Sequence, residues 1–284
     1  MILGTATCQI IQTKIGRTSV AVVDCPGFND THRSDTEVLG EIAKVLSSQY
    51  LVSKNLRLRG ILYFRDITKM RMEGSDVRTL NLFARLVGKE AFAHIVFVTT
   101  RWENKGVEEQ KLFEKRERQL KDEFWREMIL EGSYLQRFYG TKDSAEGIIS
   151  QVVGAADPVV LRIQHELIEK EMELAATAAG SVLVPLVEEK LVESKSKLQR
   201  FRALLARETN STAKTRVLID IKKAEEERDQ AQSDKDKLKE RVGLDLKSRI
   251  KNGIDWQDTL KTICAVLGVG LTIVFHVVPG CVVQ

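Results

Sequence analysis

Residues Ser19-Val-Ala-Val-Val23 run straight into Asp24-Cys25-Pro26-Gly27. A short, continuous apolar run closed by a Pro-Gly breaker reads as a buried strand with a sharp turn at its carboxyl end. Strands buried on both faces belong to parallel sheets covered by helices. In open sheets of that kind, ligands bind just outside the carboxyl ends of the strands. Asp24 stands there, where a carboxylate can hold Mg²⁺ through water. Gly27 has no Cβ, so its N–H can approach a phosphate closely. The plainer reading, Asp24 as the cap of a Pro-Gly turn, stays open beside it.

The chain around this stretch alternates strand and helix. Cys8 to Ile15 alternates as a half-exposed strand, and Gly16-Arg17 turns it back into the Ser19 strand, predicting an antiparallel hairpin. From Ser34 to Ser53 the spacing is helical, with Val38, Ile42, Val45, Leu46 and Tyr50 on one face and Ser34 or Asp35 as cap. Leu58 to Phe64 is a second buried strand, and Asp66 to Gly74 a polar loop. Ser75 to Gly88 is a helix with Val77, Leu80, Phe83, Ala84 and Val87 inward. Ala93 to Val98 is the next strand and leads into Thr99-Thr-Arg-Trp-Glu103. A charged helix to about Glu131, a short strand Tyr134 to Phe138, the loop Tyr139 to Ala145 and a helix through Val153 complete the pattern. Such alternation predicts an α/β fold with a parallel, doubly wound sheet.

The block GILYFRDITKMRMEGSDVRTLNLFARLVGKEAFAHIVFVTTRW, with DCPGFNDT before it, resembles the core of fungal septin-like and immunity-associated GTPases over about residues 3–155. The resemblance implies a P-loop GTPase fold that binds GTP or GDP with Mg²⁺. It implies that Asp24 and Gly27 form the Asp-x-x-Gly step facing metal and terminal phosphate. Thr7 is, by spacing, the threonine that would close over the Mg²⁺; an ordinary threonine at a strand start is the alternative. Thr7 and Asp24 are thus the implied metal ligands. Thr99, Thr100, Trp102 and Glu103 occupy the guanine-reading step, and Gly140 and Thr141 the loop that closes over the base.

Two departures qualify this resemblance. No G-x-x-x-x-G-K-[ST] occurs in the sequence; that loop would supply backbone N–H groups and a lysine to the phosphates. In the family it follows a central strand that lies between the Val20–Val23 and Ile61–Phe64 strands. The expected fold is therefore an incomplete doubly wound P-loop GTPase-like sheet. Its two inner strands would either pair directly or leave buried backbone groups unpaired, at about 1–3 kcal/mol each. A truncated gene and a degenerate domain both remain open. Second, Glu103 stands where the family has an aspartate on the base edge and is one methylene longer. Trp102 either stacks on a base or covers the pocket.

After Asp157-Pro158 the composition turns helical. The expected organisation is a G-like domain over 1–157, helical arms over 158–258 and an apolar segment over 259–284. Val184, Leu191, Leu198 and Leu205 recur every seven residues, predicting a coiled-coil-like seam. Thr209-Asn-Ser-Thr212 breaks it, and Val217 to Val242 carries a weaker second seam; the two arms either fold back as a hairpin or run on as one helix. The segment Thr262 to Val283 has no Asp, Glu, Lys or Arg. It approaches the roughly 20 residues that span a bilayer, predicting a transmembrane helix that tethers a cytoplasmic G-like domain to an intracellular membrane.

The remaining features exclude more than they assign. A net charge of +4 without an aromatic-basic stripe does not point to nucleic acid. Cys8, Cys25, Cys264 and Cys281 lack C-x-x-C spacing, so neither zinc nor a disulfide framework is indicated. Met1-Ile-Leu-Gly does not read as a signal peptide. The expected function is guanine-nucleotide binding with weak or no hydrolysis. The alternative is a non-catalytic pseudo-GTPase scaffold acting through its arms, on a second copy or another helical partner.

Overall fold

The computed structural model describes residues 9–25, 27–30, 33–52, 56–103, 105–155, 157–252 and 271–277. Strands β1 (Gln9–Ile15) and β2 (Thr18–Cys25) form the expected hairpin, turning at Gly16 with φ +58°. Helix α1 (Asp35–Val52) follows. Ser34 Oγ accepts from the Glu37 N–H at 3.2 Å and so caps its first turn. Next come β3 (Leu56–Asp66), α2 (Gly74–Val87), β4 (Ile95–Thr100), α3 (Val107–Gln119), α4 (Arg126–Leu130), β5 (Tyr134–Arg137) and α5 (Lys142–Ala155). The expected charged helix is therefore broken: α3 ends in a π-helical turn over Leu120–Phe124, which brings Trp125 inward to stack on Phe97 at 4.5 Å.

The sheet order is β1-β2-β6-β3-β4-β5, and β6 (Leu271–Val277) comes from the apolar terminal segment. It runs antiparallel to both β2 and β3. The two inner strands thus neither pair with each other nor stay open. This overturns the expected transmembrane helix and the membrane-anchored localisation built on it. Among the described residues no helix is long and apolar enough to cross a membrane, and 271–277 is a strand. Composition permits this, because Thr272, Ile273, Val274 and Val277 are β-branched and suit a pleated surface. They also lie beside two rows of backbone groups that need partners. The remainder of 259–284 lies outside the described residues.

Helices cover both faces of the sheet. Ala21, Val23, Ile61, Ile95 and Phe97 pack toward α1, α2 and Trp125. Val20, Leu62, Val96 and Val98 pack toward Ile148 and Val152 of α5. Alternate residues of each strand serve alternate faces, which is why these runs are apolar throughout. Gly60 follows a register shift in β3; a Cβ there would meet Val152 Cγ1 at 2.6 Å and the His94 carbonyl oxygen at 2.8 Å. Val77, expected inside, is 44% exposed, because α2 turns Leu80, Phe83, Leu86 and Val87 to the core instead.

The later helices are α6 (Arg162–Gln164), running into a π-turn over His165–Glu169, then α7 (Gly180–Arg207), α8 (Ser211–Leu238) and α9 (Val242–Lys251). Helices α7 and α8 form the fold-back hairpin, tied by Lys197–Glu227, Arg202–Glu225 and Lys235–Glu188 pairs. Asn210 caps α8 by accepting from the Ala213 N–H at 3.1 Å. Leu191 and Leu198 of the expected seam are buried, with Val187 and Ala224. The base of the hairpin sits on α1, where Lys44 pairs with Glu240 at 2.9 Å and Lys237 with Glu37.

Candidate functional site

The carboxyl edge of the parallel strands carries two clusters. The first surrounds the turn after β2. Asn29 adopts φ +63°, its N–H donates to Asp35 Oδ1 at 2.6 Å, and its amide donates to Ser75 Oγ at 3.2 Å. Through its backbone N–H and its side chain, Asn29 thus ties the turn to the starts of α1 and α2. Beside it β3 ends in Arg65-Asp66. Arg65 pairs with Asp76 of α2 at 3.0 Å and donates to the Arg71 carbonyl at 2.9 Å. Asp66 Oδ1 accepts from the Thr68 N–H at 2.9 Å and its hydroxyl at 2.6 Å, an Asx turn that ends the strand.

Gly27, Asn29, Tyr63, Arg65, Asp66 and Asp76 line a pocket of about 160 Å³. Burial alone would raise the Asp76 carboxyl. The Arg65 guanidinium and the Glu73 N–H outweigh it and hold that carboxyl below its usual range. Burial pushes the Tyr63 hydroxyl up to about 12. The Tyr63 ring lies 4.9 Å from Phe83 and 5.7 Å from Phe97, centroid to centroid.

The second cluster lies beyond β4. Thr99 is fully buried. Its hydroxyl donates to Glu117 Oε1 at 2.8 Å and accepts from Trp102 Nε1 at 3.0 Å. Arg137 binds Glu117 Oε2 through Nε at 2.9 Å, and its guanidinium lies 4.0 Å above the Trp102 ring. Trp102 also meets Phe113 edge-on at 6.0 Å, centroid to centroid. Trp102 is thus a covered side chain with its N–H in use. Arg101 holds φ +72°, a left-handed conformation that β-carbon sterics disfavour. Glu103 closes against Gly140: a Cβ at Gly140, which has φ +71°, would lie 2.7 Å from Glu103 Oε1. Thr141 Oγ1 accepts from the Ser144 N–H at 3.2 Å and caps α5.

The expected residues therefore fall into two sets. Thr99, Thr100, Trp102, Glu103, Gly140 and Thr141 come together, with Thr99 and Trp102 turned into the protein. Gly27 belongs to the other set. Asp24, half-buried on β2, shares the face of Val20 and Val22 by alternation and does not line the Gly27 pocket. Thr7 lies outside the described residues. Among the described residues no group of three or more His, Cys, Asp or Glu is gathered that could hold a metal ion. The donor chemistry at Asp24 fits only a Mg²⁺ bound mainly through water and phosphate oxygens.

Tyr63, Arg65, Asp76, Glu117 and Arg137 were not singled out by sequence. Arg65 and Asp66 could have been, since they close a buried strand at the edge where sites form. Glu117 lies in a charge-dense helix and carries no distinguishing signal. No protein-family model matches the chain, and no curated protein matches it.

Proposed function

We propose that this chain is a GTPase-related α/β protein that does not hydrolyse GTP and works as a scaffold through its α7–α8 hairpin. The observation that carries this is the direction of β6. A phosphate loop hangs from the carboxyl end of a central strand, where its N–H groups face the ligand. β6 fills the slot between β2 and β3, but its amino end lies there: Leu271 pairs with Cys25 and Tyr63, while Val277 pairs with Leu56. A strand in that sense has no carboxyl-end loop to offer at this edge. The sheet otherwise sets an antiparallel edge hairpin beside parallel strands; the kinship with P-loop GTPases rests on the sequence resemblance. The hairpin arms extend as two 28-residue helices with Val192, Leu204, Leu218 and Ile219 exposed, surface suited to a helical partner or a second copy.

One observation favours a second reading, guanine-nucleotide binding. Glu103 and Gly140 meet at the carboxyl edge, where the resemblance implies a carboxylate and a closing loop around a base. Titration with a fluorescent guanine nucleotide and Mg²⁺, alongside a phosphate-release assay, separates the two. The scaffold reading expects no release and no saturation below about millimolar, an interaction of only about 4 kcal/mol. A saturable, Mg²⁺-dependent signal at micromolar nucleotide overturns it in favour of the second reading.

A further inference from the structure

Helix α8 carries one solvent-facing stripe along most of its length. Lys214, Leu218, Lys222, Glu225, Asp229 and Asp236 follow one another at steps of three, four or seven residues, which sets them in line. Glu225 is half-buried and the others are exposed. Asp234 and Lys237 hold α8 on α1; at 3.6 residues per turn they lie about 100° or more round the helix from the stripe. The stripe therefore looks away from the α/β unit. Arg202 of α7 reaches Glu225 across the hairpin at 2.9 Å, so the α7 line that holds Arg202 flanks the stripe. Steps of three and four lead along that line through Gln199 and Lys195 to Val192, which is 69% exposed.

This face is electrically polarised. Beyond the Arg202–Glu225 pair the free end of the hairpin, residues 203–224, holds Arg207, Lys214, Arg216, Lys222 and Lys223. Its acids are Glu208 and Asp220, and Glu208 is engaged by the Thr209 and Asn210 N–H groups of the turn. Among the described residues Lys214 has no carboxylate partner, and Lys222 approaches Glu226 only to 4.0 Å. Residues 225–229 reverse the sign, with Glu225, Glu226, Glu227 and Asp229 against Arg228. Asp229 and Asp236 hold only their near neighbours Arg228 and Lys239, at exposed positions that a second cation can share.

A face with opposite charges at its two ends is complementary to itself turned end for end. A two-fold axis at Glu225 sets Lys214 against Asp236, Leu218 against Gln232 and Lys222 beside Asp229, each of them twice. It also brings Val192 level with Leu218 of the second copy. The two Arg202–Glu225 pairs meet at the axis without net charge. A parallel arrangement would set lysine on lysine and aspartate on aspartate. A purely acidic partner would suit the free end and be repelled by the carboxylates beyond it. The stripe is roughly 33 Å long at 1.5 Å per residue, and the two-helix face about 20 Å wide. Two copies would bury about 1,300 Å² in all, where specific interfaces begin near 1,200 Å².

We propose that two copies of this chain pair antiparallel through this face of the α7–α8 hairpin. The inference rests on the scaffold reading and names its partner as a second copy.

Sedimentation equilibrium of the full chain tests it. At about 50 mM salt the chain should dimerise with a Kd of about 10 µM. At about 500 mM salt, where charges are screened within about 5 Å, the Kd should rise at least tenfold. Lys214→Glu with Lys222→Glu should raise it at least tenfold at low salt, and so should Asp229→Lys with Asp236→Lys. Mixed together, these two variants should pair with each other at least as tightly as the native chain pairs with itself, a rescue that misfolded variants could not give. The proposal is overturned by a native chain that is monomeric at about 200 µM, by a Lys214→Glu, Lys222→Glu variant that dimerises as tightly as the native chain, or by a mixture that stays monomeric. A monomeric native chain that binds poly-glutamate also overturns it and assigns the cationic end to an acidic partner. A monomer leaves the scaffold reading standing with another partner, whereas saturable micromolar nucleotide binding removes that reading whatever the oligomeric state.

Discussion

Ser34 Oγ donates a 2.6 Å hydrogen bond to Asp234 Oδ1, joining the start of α1 to the base of α8 across 200 positions of sequence. The same hydroxyl accepts from the Glu37 N–H and caps α1. Asp234 is 3% exposed, and Gln230 gives it a further bond at 3.2 Å. Ser34→Ala therefore removes a cap and leaves a buried carboxylate short of a donor. The expected loss is about 2 kcal/mol, read as a lower urea midpoint with unchanged m-value. A change below about 0.5 kcal/mol would mean that the hairpin base is held by packing alone.

The neighbouring Lys237–Glu37 pair makes this junction sensitive to acid. Burial alone would raise Glu37, but the Lys237 contact, the Ser34 N–H and Arg33 together lower it below its ordinary value of 4.5. A lowered carboxyl contributes stability above its unfolded value and loses it as pH falls through the folded value. Acidification below about pH 4.5 should therefore weaken hairpin docking. Glu37→Gln should cost about 0.5–1 kcal/mol at neutral pH and flatten that acid limb. The measurement is urea unfolding across pH. An acid limb as steep in Glu37→Gln as in the native chain would assign it to other carboxylates, Asp76 first.

Much of this architecture is legible in the residues, and the gaps have physical reasons. The runs around Val20, Ile61 and Val96 announce their strands, because apolarity on both faces has few other uses. Thr209 to Thr212 marks the hairpin turn because Asn210 is a strong cap. Glu103 and Gly140 come together as the order of loops suggests. By contrast, the run holding Leu271 to Val277 is equally compatible with a buried helix, a membrane span or an inner strand. Its identity as β6 depends on partners more than 200 residues earlier. The inward turn of Thr99 and Trp102 depends on Glu117 arriving from α3, a contact that no local pattern encodes.

Two glycines permit close backbone approach within the helical region, where α7 and α9 meet the turns after α6. A Cβ at Gly180 would lie 1.8 Å from the Leu174 carbonyl oxygen, and one at Gly243 would lie 2.0 Å from that of Leu167. Both obstacles are backbone, so neither can swing aside as a side chain would. Gly180→Ala and Gly243→Ala should each destabilise by about 1–3 kcal/mol, although alanine is the better helix former by about 1 kcal/mol. Thermal unfolding is the check. A raised midpoint for either variant would show that helix propensity outweighs the clash and that the helix shifts to make room.

The place of β6 between two parallel strands gives a test that needs no ligand. Val274 pairs with Val22 on one side and Gly60 on the other. Proline there removes an inner ladder bond and cannot sit in a central strand without disrupting it, at about 3 kcal/mol or more. Cys25 pairs with Leu271 and is fully buried, so it reports the state of that slot. With Cys8, Cys264 and Cys281 replaced by serine, alkylation of Cys25 followed by mass spectrometry should be slow in the otherwise native chain. Val274→Pro should speed it by at least tenfold while leaving the far-UV helical signal of α7 and α8 largely intact. Slow alkylation in both proteins would mean that β6 does not seal this part of the sheet, leaving the slot beside Cys25 open to another strand.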